Sequence, residues 1–294
     1  MTTSSPPPAV TAPPSVSDAH GHARGRHEPL REGATFWRCE GTAEGTPVVL
    51  VHGATVSSWA FDPLVPLLAT AGFRALRFDL YGHGQSDYPE GDYSLDRFVR
   101  QTCELIEATD SPRPALLLGH SFGAAVAAAT ALAHPEWVKR LVLVAPMLDF
   151  NATNGWSRIF RVTAAGEVLM RMVGVPALVR RRRKRYASIG LQRLTPLFVE
   201  QASRAGFGRA LLSMIRMEAL GDQSARYSAL RDLALDILVI TGSRDAVIPR
   251  AHIDRVRALL PPHRHCDVAG AEHNLLLTHP EAVVAALLER VTPS

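Results

Sequence analysis

Apolar positions along the chain follow two rhythms. Pro47–Val51 (PVVLV), Ala115–Leu118, Arg140–Val144 and Asp236–Thr241 (DILVIT) are short runs dense in aliphatic and β-branched residues. Arg74–Phe78 belongs with them, and Phe36–Cys39 and His265–Val268 are shorter candidates. Runs of this length without polar alternation read as strands buried on both faces. Between them lie longer stretches with helical spacing. Trp59–Thr70 reads as a helix closed by Gly72. Leu95–Thr109 carries Leu95, Phe98, Val99, Leu105 and Ile106 on one side, and Phe122–Ala133, Ala251–Leu260 and Pro280–Val291 complete the set. Thr278 and Glu281 stand at capping-box spacing ahead of the last helix. Repeated strand–helix units predict an α/β fold class, a mostly parallel central sheet flanked by helices.

Two segments break the rhythm. Residues 1–33 carry Pro6, Pro7, Pro8, Pro13 and Pro14 among small polar residues, then His20, His22, Arg24, Arg26 and His27. Such a stretch buries too little to offset its chain entropy and is expected to be a disordered tail. Residues 147–232 contain no clear strand, only helical stretches rich in Met, Leu and Arg and broken by Pro176, Gly190, Pro196 and Gly206. They read as a helical cap inserted into a core made of residues 34–146 and 233–294. Trp156, Ile159, Phe160, Met170, Phe198 and Met214 are among its apolar residues. Most of these pack on the core, and some line an acyl or alkyl pocket.

Charge sharpens this division. The net charge is +4, but residues 147–230 hold 14 Lys plus Arg against 5 Asp plus Glu, and the remainder is net acidic. Arg180–Arg185 (RRRRKR) reads first as a solvated helix face and second as a weak contact for an anionic membrane surface or an acidic partner. No stacking aromatics or recognisable module accompany it, so nucleic acid is not an expected partner. A hydrophobic fraction of 47% with 20% charged residues is ordinary for a soluble domain. Cys39, Cys103 and Cys266 are odd in number and far apart, which fits reduced thiols in a cytoplasmic compartment. The N-terminal stretch lacks the apolar core of a secretion signal. Neither the tail histidines nor His263, His265, Cys266 and Asp267 has a ligand framework, so no metal or cofactor is expected.

The chemistry centres on Gly119-His120-Ser121-Phe122-Gly123. This G-x-S-x-G sequence follows an apolar strand and opens an Ala-rich helix, the context of a nucleophile elbow. A strand that turns at once into a helix strains the serine backbone, and the flanking positions leave no room for a Cβ. A serine hydroxyl needs a base. His273 lies in the loop between the last strand and the last helix, at the same sheet end as Ser121; His252 and His279 open helices and read as exposed or capping residues. The acid that orients the base belongs between them in sequence, and Asp245, just past DILVIT, fits better than Asp149. Oxyanion donors are expected at the backbone N–H of Phe122 and of Ala54, the latter after His52-Gly53. His52 reads as structural rather than as a second base.

Val49–Gly53, then Phe78–Asp87 (FDLYGHGQSD), Gly119–Gly123 and the Asp245 and His273 segments, taken in this order, resemble the α/β-hydrolase superfamily over residues 36–292. The resemblance implies a serine esterase or lipase-like member acting through an acyl-enzyme, with a small to medium hydrophobic ester as substrate. It also implies structural roles for Asp79 and Ser86. Epoxide hydrolases and dehalogenases of this superfamily use an Asp nucleophile, where this chain has Ser121. The same triad could serve C–C, thioester or amide cleavage, or be retained in a non-hydrolytic binding or cyclase role. The stretch Ala54–Ser58 lacks the glycines that C–C hydrolases often carry there.

Overall fold

A computed structural model describes residues 25–153 and 166–289. Among them, eight strands form one sheet: β1 (Arg26–Leu30), β2 (Gly33–Glu40), β3 (Thr46–Val51), β4 (Phe73–Phe78), β5 (Ala115–His120), β6 (Val138–Val144), β7 (Asp236–Gly242) and β8 (Arg264–Val268). Their order is β1-β2-β4-β3-β5-β6-β7-β8. From β4 to β8 every pairing is parallel, while β1 and β2 join as an antiparallel pair at one edge. The fold is that of an α/β hydrolase.

The apolar runs are continuous because both sheet faces are covered. Val49, Val51, Leu117, Leu143 and Val239 point to the side packed by α2 (Leu95–Ala108) and α3 (Phe122–Ala133). Their neighbours Val48, Leu50, Leu118, Val144 and Ile240 point to the side packed by α1 (Leu64–Thr70) and the last helix. The two-residue period of a strand thus sends alternate side chains into separate cores.

Several boundaries differ from the sequence expectation. Residues 26–30, assigned to the tail, form the edge strand β1, paired with β2 from Arg26↔Trp37 to Leu30↔Gly33. Backbone hydrogen bonds recruit this segment, so its polar composition carries no strand signal. His27 lies on this strand; His20 and His22 fall outside the described residues. The helix expected over 59–70 is a 3₁₀ turn, Ser58–Phe61, followed by α1, parted near Pro63, which lacks the N–H a continuous helix needs. The capping box is not formed. His279 takes the N-cap position without a side-chain cap bond, and Thr278 Oγ1 donates to the Asn274 carbonyl at 3.2 Å. Thr278 belongs instead to a short preceding helical turn, Leu275–Thr278.

Between β6 and β7 the described chain is helical. Gly166–Leu169 runs through a π turn at Met170–Gly174 into α4 (Val175–Ser188), followed by α5 (Thr195–Ser203), α6 (Phe207–Arg216) and Ser224–Ala229. Trp156, Ile159 and Phe160 lie outside the described residues. Tyr186, Phe198 and Phe207 of this block share a buried cluster with Leu277, from the turn just after His273. The block is therefore packed against the loops at the carboxyl end of the sheet. Helices α7 (Arg250–Leu259) and α8 (Pro280–Leu288) return the chain to the core. Among the described residues no helix is long and apolar enough to cross a membrane.

One buried charge ties the early strands together. Arg77 on β4 is 1% exposed and grips Glu40 of β2 through Nε and Nη2 at 2.8 and 2.7 Å. Its Nη1 donates to the Ser58 carbonyl at 3.1 Å and to Asp62.

Candidate active site

The turn from β5 into α3 leaves no space. A Cβ built on Gly119 would lie 2.1 Å from the Gly123 carbonyl oxygen, and one on Gly123 would lie 2.1 Å from the Val51 carbonyl oxygen. These contacts are with backbone and cannot give way, so both positions require glycine. Ser121 between them sits at φ 55°, ψ −114°, a strained conformation for a side-chain-bearing residue. Its N–H donates to the Val144 carbonyl at 2.9 Å, which anchors the turn on β6.

His273 reaches this serine from the loop after β8. Its Nε2 lies 3.1 Å from Ser121 Oγ, and its Nδ1 lies 2.8 Å from Asp245 Oδ2. Asp245 can only accept when ionised, so Nδ1 carries the proton and Nε2 presents its lone pair to the serine hydroxyl. The Asp245 side chain is 6% exposed and that of His273 12%. Burial works against a charge on Asp245. The hydrogen bond from His273 and the backbone N–H groups of Ile248 and Val247 nonetheless hold its carboxyl below the ordinary range. Asp149 is elsewhere, accepting from Ala152 N–H at 2.8 Å at the start of a helical turn.

The loops carrying Asp245 and His273 are stitched together. Arg244 N–H donates to the Ala271 carbonyl at 2.8 Å, and Gly270 N–H donates to Ser243 Oγ at 2.9 Å. His120, next to the serine, adds a further tie: its Nε2 donates to the His273 carbonyl at 2.9 Å. Burial, followed by the nearby His273, pushes the His120 imidazole down to about 3, so it stays neutral. The sequence offered no way to see this clamp, because it joins positions 120 and 273 only in space.

Ala54 lies in the turn after β3, next to Gly53, where a Cβ would stand 3.4 Å from Ser121 Cβ. The turn is held by His83, whose Nε2 donates to the Ala54 carbonyl at 2.7 Å, and by Gln201 of α5, which donates to the Thr55 carbonyl at 3.3 Å. Phe122 opens α3, where backbone N–H groups and the helix dipole favour negative charge. His52 is fully buried, its Nδ1 donating to the Gly53 carbonyl and its Nε2 accepting from Leu80 N–H, each at 2.9 Å. Burial, with His83 close by, keeps it neutral and well below the ordinary range. Its accepting nitrogen is occupied, which fits a structural residue.

Asp79 and Ser86 hold the loop after β4. Asp79 accepts from Ser58 N–H and Gln85 N–H at 2.8 and 2.7 Å, and Ser86 Oγ donates to the Asp79 carbonyl at 2.5 Å. His265 and Asp267 are engaged by Thr241 Oγ1, each at 2.8 Å, and Asp267 also by Arg250.

The arginine run is not one surface. It lies on α4, where Arg180, Arg181, Arg183 and Lys184 are exposed while Arg182 and Arg185 are half-buried. Arg185 pairs with Glu272, the neighbour of His273, and Arg182 Nη2 donates to Thr55 Oγ1 at 2.5 Å. Two members of the run thus reach the neighbours of His273 and Ala54, which the charge count alone could not reveal.

Residues 48–286 match the model of the alpha/beta hydrolase family. The chain is 30% identical over 273 residues to a pimeloyl-[acyl-carrier protein] methyl ester esterase of Edwardsiella ictaluri, covering 87% of this chain and 96% of that one. It is 28% identical over 212 residues to a 2-hydroxymuconate semialdehyde hydrolase of a Pseudomonas species, covering 70% and 72% of the two chains. The crystal structure of Cfl2 from Burkholderia cenocepacia superposes with a TM-score of 0.78 at 24% identity over 94% of this chain and 98% of that one. This chain belongs to the alpha/beta hydrolase family. Its relatives, an esterase and other hydrolases, support hydrolase activity.

Proposed function

We propose that this chain is a serine hydrolase of carboxylic esters, with Ser121 as nucleophile, His273 as general base and Asp245 as the acid that orients it. The observation that carries this reading is the relay of 3.1 Å from Ser121 Oγ to His273 Nε2 and 2.8 Å from His273 Nδ1 to Asp245. Such distances let a proton leave the hydroxyl as it attacks. Ser121 Oγ adds to the ester carbonyl and His273 Nε2 takes the proton. The resulting oxyanion is stabilised by the N–H groups of Phe122 and Ala54. His273 then gives the proton to the departing alcohol, leaving an acyl-serine. Water attacks the acyl carbonyl, its proton passes to His273, and the acid leaves as Ser121 regains its hydrogen. Residues 147–232 serve as the cap over this site, a small to medium hydrophobic ester is the substrate, and the cytoplasm is the compartment.

A fluorophosphonate probe tests the reading. It should label the wild type and not Ser121→Ala, and the substitution should lower kcat by roughly 10⁴- to 10⁶-fold with folding unchanged. A panel of p-nitrophenyl esters then separates ester hydrolysis from C–C, thioester or amide cleavage on the same triad. Full ester hydrolysis by Ser121→Ala would overturn the assignment.

A further inference from the structure

Arg182 is a half-buried cation with no carboxylate to meet it. Among the described residues it forms no ion pair, whereas Arg185, one turn on, is paired with Glu272. Its guanidinium lies instead by the rings of Tyr186 and Phe198, 5.5 and 5.3 Å from their centroids, and donates to Thr55 Oγ1. Two rings and hydroxyl oxygens compensate a half-buried guanidinium only in part, and a guanidinium cannot shed its proton to escape the cost. Burial disfavours its charge, with Tyr186 working the other way and Arg181 and Arg185 adding to the penalty.

The surroundings add a second, independent sign. Tyr186 is fully buried, and Arg182 is the neighbour its hydroxyl turns to. Nε1 of Trp59, whose ring packs edge-on against Tyr186, is buried without a hydrogen-bond partner among the described residues. Buried polar groups without partners are uncommon in folded proteins and call for a ligand or another explanation. Here one such donor lies in a contiguous cluster with a cation that meets no carboxylate. The cluster abuts the turn carrying Ala54: Thr55, which holds Arg182, is the next residue, only ~3.8 Å away from Cα to Cα. Arg182 also acts electrostatically on His120, beside Ser121.

We propose that Arg182 is the anion-binding residue of the substrate site and that the ester cleaved here carries a carboxylate on its acyl part. The proposal rests on the Ser121 reading. A planar guanidinium offers the paired donors that suit a carboxylate, and this one meets none among the described residues. The acyl side follows from charge. His273 protonates the leaving alcohol, and beside it stands Glu272, an anion already claimed by Arg185. The Thr55 side, with its unpaired cation, is where a second anion is attracted. Hydrolysis then releases a dicarboxylic acid and an alcohol, with water as the only co-reactant.

Length-matched pairs of p-nitrophenyl esters test this: hemiglutarate against valerate, and hemiadipate against hexanoate. The wild type should favour the anionic member of each pair at least tenfold in kcat/KM. In Arg182→Met that anionic-over-neutral ratio should fall at least twentyfold, with Arg182→Lys between the two. Arg181→Met, on the exposed side of α4, should leave the ratio where it was. Adipate should protect Ser121 from fluorophosphonate in the wild type and not in Arg182→Met. A wild-type ratio near one without adipate protection, or equal losses on both esters in Arg182→Met, would overturn the proposal and leave the triad standing. Failure of the probe to label Ser121 at all would instead overturn the triad reading, and this one with it.

Discussion

Acid should destabilise this protein through His120 in a way that one substitution removes. The imidazole is 6% exposed, and burial holds it down to about 3, against about 6.5 in an unfolded chain. Between these values the unfolded chain binds a proton that the folded chain refuses. Stability is therefore greatest above about 6.5 and declines as pH falls, until the folded state also protonates near 3. At pH 5 the gap from 6.5 amounts to ~1.5 units, or ~2 kcal/mol lost to this one residue. In His120→Gln the side-chain amide nitrogen takes the place of Nε2, keeping a donor to the His273 carbonyl while removing the titration. Urea unfolding of both proteins at pH 8 and pH 5 gives a difference of differences. His52 and His83 are also buried and lowered, but they titrate alike in both proteins and cancel. His120→Gln should lose ~2 kcal/mol less than the wild type over this interval. Equal losses within ~0.5 kcal/mol would refute the claim that His120 is neutral and buried.

Two other outcomes follow from the geometry. Asp245→Asn should keep the fold but present the wrong imidazole tautomer to Ser121, lowering kcat by roughly 10⁴-fold in a p-nitrophenyl ester assay. Glu40→Leu should cost about 3 kcal/mol in urea unfolding, because it removes the partner of Nε and Nη2 from the Arg77 guanidinium, only 1% exposed, and leaves it Asp62 and the Ser58 carbonyl alone. Pairing it with Arg77→Met should recover most of that loss, as the charge and its partner then leave together.

The tight turn at Ser121 was legible before any coordinates because its demands are local. Gly119 and Gly123 are required by contacts within a few residues and with the next strand, and the apolar run ahead of them declares that strand. Asp245 and His273 were legible through chain order alone, each just past a strand that ends at the same rim. The edge strand Arg26–Leu30 was not, since an edge strand is held by backbone bonds that leave no hydrophobic mark. Thr278 misled for a related reason: capping-box spacing says nothing about whether the preceding turn is already helical.

What the amino-acid order determined by itself was the alternation of strands and helices, the strained serine and the loops from which His273 and Asp245 come to it, because these depend on spacing along the chain. Tertiary structure alone decided which way α4 faces. It split one run of basic residues into exposed cations, an arginine paired with Glu272 and a half-buried arginine bonded to Thr55 with no anion among the described residues. It likewise brought His120 to the backbone of His273 across 153 positions. Periodicity records which residues share a face; only packing fixes what that face meets.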